Sequence, residues 1–338
     1  MFTGFVWRTF RRYARALSAV TLIGILMGCN PSPGDLEPAE DGLIPLVLQT
    51  DWFAQPEHGG FYQALARGFY EEAGLRVTIL EGGPNAMTTA QVLSGRAHFA
   101  MNRMDTVMTL VAQGLPLKMV MVTLQDDPQG ILLHADDPAQ NFADLDGRRV
   151  MAVPGLTWIR YVERRFGITM DILPHDFGMD RFLSDRRLIQ QCLITNEPYY
   201  MERQGAPVRV LRLSDSGFNP FHGIYLHRDF ARDHPDVVRR FVQASVRGWR
   251  DFVEGDPEPA FRLISERNRR MVPSFMAFSH RKLLDEQIVV GRGQSLENIG
   301  RIDPERIRHL HSDLRHLHLL PPELDISSTF STQFLPDP

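Results

Sequence analysis

Lysine is almost missing from this 338-residue chain: among 37 basic residues, only Lys118 and Lys282 are lysines. Chemistry that needs an amine in a cleft, a Schiff base above all, has little to draw on. Cysteine is as scarce, at two residues, Cys29 and Cys192. With Cys29 committed as described below, no intrachain disulfide can form and a cysteine-based metal site is excluded. Neither Gly-x-x-x-x-Gly-Lys-Ser/Thr nor Gly-x-Ser-x-Gly occurs, so the chain has no P-loop and no nucleophile elbow. An excess of positive charge is also lacking, with 41 acidic residues giving a net charge of −4. That balance argues against a nucleic-acid partner.

The apolar run from Ala16 to Met27 falls far short of the roughly 20 residues that span a bilayer. Arg8, Arg11, Arg12 and Arg15 precede it, which is the order of a signal peptide, expected over residues 1–28. The run ends Leu26-Met27-Gly28-Cys29, which resembles the lipobox of bacterial lipoproteins and makes Cys29 the expected lipidation site. Residues 29–42, rich in Pro, Gly and acids, suit a flexible tether. Loss of residues 1–28 removes four arginines and no acid, leaving 41 acids against 33 bases, a net charge of −8. About 300 remaining residues exceed one typical core, so two lobes are expected.

From Leu43 onward, short apolar strands alternate with helices: strands at 43–49, 75–80, 97–101 and 117–124, helices at 86–94 and 106–113. That alternation predicts βαβ units and a mostly parallel sheet. Further strands are expected at 131–134, 150–153, 191–195, 208–213 and 224–227. A strong helix begins at Pro235 and keeps Val238, Phe241, Val242, Ser245, Trp249 and Phe252 at helical spacing. Its successors are expected at 258–268, 280–290 and 304–319. The last carries His309, His311, His316 and His318, whose spacing lacks the i,i+4 pair of a helical metal site and reads as a polar face.

The stretch that organises the chain is Asp51-Trp52-Phe53-Ala54-Gln55-Pro56-Glu57-His58-Gly59-Gly60-Phe61-Tyr62, which turns from the first strand into an amphipathic helix. Ligands of open α/β sheets sit at such strand ends, where helix N–H groups also point. Trp52 offers a flat ring and Gln55 and His58 offer donors and acceptors, although the same residues could merely pack or cap.

The pattern Asp-Trp, two residues, Gln, two residues, His, one residue, Gly resembles the opening of the thiamine-pyrimidine-synthase-like family. That family includes solute receptors of ABC transporters for thiamine-precursor pyrimidines and is related to those for sulfonates and nitrate. Its members usually have Asn where this chain has Gln55. Asp144-Leu145-Asp146-Gly147-Arg148-Arg149 likewise resembles the Asp-Leu-x-Gly-Lys-x-Val entrance to the second lobe of type-II solute receptors. The resemblance implies an α/β, type-II periplasmic-binding-protein fold, two Rossmann-like lobes joined by a two-strand hinge. Residues 43–130 and 223–330 would form one lobe and 131–222 the other, closing on a ligand as hinged lobes do.

The family also contains enzymes. Its fungal thiamine pyrimidine (HMP-P) synthases use pyridoxal phosphate held on a lysine, a Cys-Cys-Cys-Phe-Cys loop and an iron-associated histidine in the opening motif. His58 stands at the matching motif position, but Gly217-Phe218-Asn219-Pro220-Phe221-His222 replaces the cysteine loop. Lys118 lies in a strand and Lys282 in a helix, away from the motif. The expectation is therefore a binding protein without cofactor or metal, not an enzyme.

The resemblance and the residue types together imply a cleft between Trp52, Gln55, His58, Tyr62 and Asn102 on one lobe and Thr157, Trp158, Glu197 and Tyr199 on the other. Phe218, Asn219 and His222 would stand at the hinge side. Thr157 could instead sit in an ordinary turn, and Glu197 could cap the helix that follows it. Aromatic walls and directional amides suit a small planar heterocycle such as an amino-pyrimidine. The alternatives are a sulfonate, nitrate or related small anion, for which Arg103 is the obvious partner, and the synthase itself. The expected partners are the ligand, an ABC permease and a membrane reached through the lipid anchor, with the protein a monomer in the cell envelope.

Overall fold

The computed structural model describes residues 36–84 and 86–336. The expected signal peptide, Cys29 and the first part of the tether lie outside the described residues. The end of that tether is fastened down. Leu36 packs against the core, Gly42 donates to the carbonyl of Ala39, and Asp41 pairs with Arg76.

Among the described residues, ten strands form two sheets. The first sheet contains β1 (Ile44–Gln49), β2 (Leu75–Leu80), β3 (Phe99–Arg103), β4 (Leu117–Leu124) and β10 (His222–His227), in the order β2-β1-β3-β10-β4. The second contains β5 (Gln129–His134), β6 (Arg149–Ala152), β7 (Asp171–Pro174), β8 (Ile189–Leu193) and β9 (Val208–Arg212), in the order β7-β6-β8-β5-β9. Each sheet is one lobe, and both follow the same plan. Three neighbouring strands run parallel, as with Ile44 opposite Leu75 and Arg149 opposite Asp171, and one strand enters antiparallel beside the third. The antiparallel strands are β5 and β10, the first strand after each passage between sheets. A chain that leaves one sheet and returns must run against its neighbours, a feature the alternation of apolar segments does not announce.

The passages are short. The chain leaves the first lobe between Leu124 and Gln129 and returns between Arg212 and His222. Asn219 clamps the two together: its Nδ2 donates to Asp126 Oδ1 at 2.7 Å and its Oδ1 accepts from the Asp127 amide at 2.9 Å.

Apolar spacing gives the first lobe its core. The helix Pro235–Glu254 buries Val238, Phe241, Val242, Ser245, Trp249 and Phe252, with Phe241 stacked on Phe99 at 3.8 Å. Ser245 is satisfied by Tyr70, whose hydroxyl lies 2.9 Å from its own. The motif's glycines serve this packing. A Cβ on Gly60 would stand 2.1 Å from the Trp249 ring, and one on Gly59 2.1 Å from Phe252. Only hydrogen at these positions lets the helix Gly59–Ala66 lie against the longer one. The expected helix at 280–290 instead runs Pro273–Asp285, started by the proline at its first turn.

The helix Pro304–His316 is less polar on its histidine face than its spacing suggests. His311 is buried beside Ile307, Leu310 and Leu314, while His318 lies past the helix end with φ +55°. Among the described residues, no helix is long and apolar enough to cross a membrane, and no group of His, Cys, Asp or Glu is arranged to hold a metal.

Candidate functional site

Both lobes contribute to one cavity of about 190 Å³ at the C-terminal ends of the parallel strands. The loop after β1 supplies Asp51, Trp52, Gln55, Glu57 and His58, and β10 begins with His222. On the second lobe, His175 and Phe177 follow β7, Gln191, Cys192 and Leu193 belong to β8, and Asn196 and Glu197 follow it. Pro128 and Gln129 close the floor where the chain changes lobes. Strand ends collect ligands because adjoining loops diverge there and leave a crevice.

The lobes touch across the cavity in two places. Trp52 and Phe177 meet with ring centroids 5.2 Å apart at 44°, and Thr195 Oγ1 donates to Glu57 Oε1. Phe177 is half exposed and holds φ +60°, a conformation few bulky residues adopt. His175 anchors that turn. Its Nδ1 accepts from the Phe177 amide at 2.8 Å, while its Nε2 lies 3.2 Å from the Gln191 carbonyl. Those two bonds require the neutral ring protonated on Nε2, and burial holds the His175 pKa below its usual value.

The carboxyls of Asp51, Glu57 and Glu197 line the cavity beside the imidazoles of His58, His175 and His222, and among the described residues no lysine or arginine does. Burial opposes ionisation of Asp51, but the hydrogen bond to His58 and the nearby imidazoles of His58 and His222 outweigh it and hold its carboxyl below the usual range. His58 Nε2 lies 3.0 Å from Asp51 Oδ1, and His222 Nδ1 lies 4.0 Å from Oδ2. Burial drives Glu57 the other way, above the ordinary glutamate value. Glu197 is raised to about 7 by burial, with the charge of Glu57 adding to the effect and the Leu193 amide, 2.7 Å from Oε2, working against it. The Cys192 thiol is pushed well up by burial and by the Glu197 charge, so it stays protonated and inert.

Of the residues expected at the ligand, Trp52, Gln55, His58, Glu197 and His222 line this cavity. The others stand elsewhere. Tyr62 is fully buried in the first lobe's core under Arg267, because helical periodicity turns it inward. Asn102 folds back, its Oδ1 accepting from the Arg103 amide. Thr157 begins the helix Thr157–Phe166 outside the cavity, and Trp158 beside it is a core residue. Tyr199 points away, its hydroxyl 2.7 Å from Ser274 and its ring against Phe275. Phe218 packs on Tyr161, and Asn219 holds the hinge. Arg103 is no anion partner either: it is buried and bonded to Asp105 Oδ1 at 3.2 Å.

The lining residues not foreseen as ligand contacts have a common cause. His175 and Phe177 follow β7, a four-residue strand with a single apolar pair, Ile172-Leu173, as its signal. Gln191 and Cys192 lie within β8 and within the expected strand, where the apolar pattern does not tell a residue that faces a cavity from one in the core. Asp51 and Glu57 sit inside the recognised stretch; Glu57 is buried and Asp51 partly so, and that both face a cavity is visible only once the second lobe is in place.

Comparison with known proteins shows the family and the fold. The profile of the NMT1/THI5-like family matches residues 55–260. A riboflavin-binding protein, RibY, from Chloroflexus aurantiacus is 23% identical over 327 residues, covering 90% of each chain. A 4-amino-5-hydroxymethyl-2-methylpyrimidine phosphate synthase from Legionella pneumophila is 21% identical, covering 86% of this chain and 92% of its own length. Among solved structures, the periplasmic aliphatic sulphonate-binding protein SsuA from Escherichia coli superposes with a TM-score of 0.65 at 15% identity, over 87% of this chain and 94% of its own. The periplasmic nitrate-binding protein NrtA from Synechocystis superposes at 0.58 and 14% identity, over 86% and 87%. At such identity the structures share the fold alone, that of periplasmic binding proteins. With more than half of its residues matched, the chain belongs to the NMT1/THI5-like family.

Proposed function

We propose that this protein is an extracytoplasmic solute receptor that captures a small planar heterocycle, such as a thiamine-precursor pyrimidine, by closure of its lobes. The observation that carries the reading is the cavity's lining: an aromatic pair, Trp52 and Phe177, one from each lobe, with carboxyls and amides behind it and no arginine or lysine. Stacking recognises flatness, and Gln55, Gln129 and Glu197 supply direction. Among the described residues the lining offers no lysine or arginine to a sulfonate or nitrate, which such cations would hold. Lobe 1 (43–130 and 223–330) and lobe 2 (131–222) would move about the Asn219 clamp. Lipidation at Cys29 would hold the receptor, a monomer, at a membrane beside an ABC permease.

The synthase reading has its support in the relatives that bear that name. Against it stand the two lysines. Lys118 lies within β4 and Lys282 lies 3.7 Å from Glu286, and neither lines the cavity. Mass spectrometry after incubation with 4-amino-5-hydroxymethyl-2-methylpyrimidine, and separately with pyridoxal phosphate, distinguishes the two. A receptor returns the pyrimidine unchanged and in stoichiometric amount, whereas formation of the phosphorylated pyrimidine from pyridoxal phosphate contradicts the reading.

A further inference from the structure

Glu57 is 3% exposed and lines the cavity from the first lobe. Its Oε1 accepts from Thr195 of the second lobe, and Ser279 Oγ from the helix Pro273–Asp285 stands 3.5 Å from the same oxygen. Its Oε2 is buried and has no hydrogen-bond partner among the described residues. A buried polar atom left over in this way calls for a partner, a water or a bound ligand.

The charged groups around it give an ionised Glu57 little help. His58 is engaged by Asp51, and Asp51 and Glu197 are themselves carboxyls. On the helix Pro273–Asp285, His280 is spent on the Phe252 carbonyl and Lys282 pairs with Glu286. A carboxylate there would be a buried charge beside two further acids, which costs several kcal/mol. The neutral acid avoids that cost, in the direction that burial already drives this group. Two hydroxyls directed at Oε1 identify it as the carbonyl oxygen, which leaves the proton on Oε2.

We propose that Glu57 faces the cavity as a neutral acid whose Oε2–H donates to a pyridine-type nitrogen of the ligand, so that the occupant is a heteroaromatic base. The inference rests on the receptor reading and deepens it: stacking selects a flat molecule, and Glu57 selects one with an acceptor nitrogen in the ring. Glu57 is a specificity determinant on this account, and its link to Thr195 makes the donor complete only when the lobes have met.

The test is calorimetric titration of the full-length protein with 4-amino-5-hydroxymethyl-2-methylpyrimidine and its two mono-deaza pyridine analogues, at pH 6 and pH 9. Glu57→Gln keeps a carbonyl for Thr195 and places an amide N–H where the acid O–H stood. It is expected to bind within about threefold of the parent at pH 6, while Glu57→Ala loses about tenfold or more. Raising the pH should weaken the parent at least as much as Glu57→Gln. One deaza analogue should bind about tenfold more weakly than the pyrimidine, and the other much as the pyrimidine does. Equal losses for Glu57→Gln and Glu57→Ala, with both variants folded by circular dichroism, overturn the inference and leave the receptor reading intact. Equal affinity for both deaza analogues and the pyrimidine does the same. Absence of binding by the parent at either pH overturns the receptor's proposed ligand and this inference with it.

Discussion

His58 Nε2 lies 3.0 Å from Asp51 Oδ1, closing a seven-residue loop between the end of β1 and the start of the next helix. The bond fixes the imidazole and leaves its buried Nδ1 free of protein partners among the described residues. Asp51 thus orients a cavity-lining group while its other oxygen reaches toward His222.

Removing that carboxylate has a pH signature. The folded pKa of Asp51 is depressed, so its stabilising contribution is present above the ordinary aspartate value of 3.8 and is lost as pH falls through the lower folded value. Asp51→Asn is expected to cost about 1–3 kcal/mol in urea denaturation at pH 7, a hydrogen bond to a charged group. The difference from the parent should shrink below pH 4. A cost that grows on acidification contradicts the assignment.

Glu197 behaves in the opposite sense. Its folded pKa of about 7 stands above the ordinary glutamate value of 4.5, so the folded state holds a proton that the unfolded chain has given up. Stability attached to this group is complete below pH 4.5 and is lost as pH rises toward 7. Glu197→Gln, which cannot ionise, should therefore be more stable than the parent at pH 8 by at least about 1 kcal/mol. At pH 4 the two should unfold alike. At pH 8, where Glu197 is ionised, the same substitution should weaken ligand binding, because a charged acceptor is replaced by a neutral one.

Phe177 combines strain with a contact. Its φ of +60° costs little for glycine and more for any side chain. Phe177→Gly and Phe177→Ala both remove the ring from Trp52, and both should weaken ligand binding about two- to tenfold, the usual 0.5–1.5 kcal/mol of an aromatic pair. The glycine variant should be the more stable of the two by about 1 kcal/mol. Trp52 fluorescence and thermal unfolding read the two effects separately.

Much of the first lobe was legible because its strands are long and apolar. The expected 75–80 and 117–124 coincide with β2 and β4, and the helix from Pro235 buries the residues its spacing indicates. The cavity was legible on the side of the opening motif, at Trp52, Gln55 and His58. It was obscure where position depends on the other lobe. Trp158 and Tyr199 look like cleft aromatics because they sit at strand-to-helix turns, yet each is the first inward position of its helix and is taken by the core. Phe177 gives no periodic signal, since it lies in a turn after a strand of four residues. Periodicity reports which face is apolar, and it does not say whether that face meets a core or a cavity.

The central claim is that a carboxyl-lined, aromatic cavity takes a flat nitrogen heterocycle and not an anion. Thermal unfolding of the full-length protein against 4-amino-5-hydroxymethyl-2-methylpyrimidine, riboflavin, taurine, an alkanesulfonate and nitrate tests it most directly. A ligand at 100 times its dissociation constant stabilises by roughly 2.7 kcal/mol. The expected result is a shift with the pyrimidine that Glu197→Ala and His58→Ala abolish. A shift with sulfonate or nitrate alone contradicts the claim.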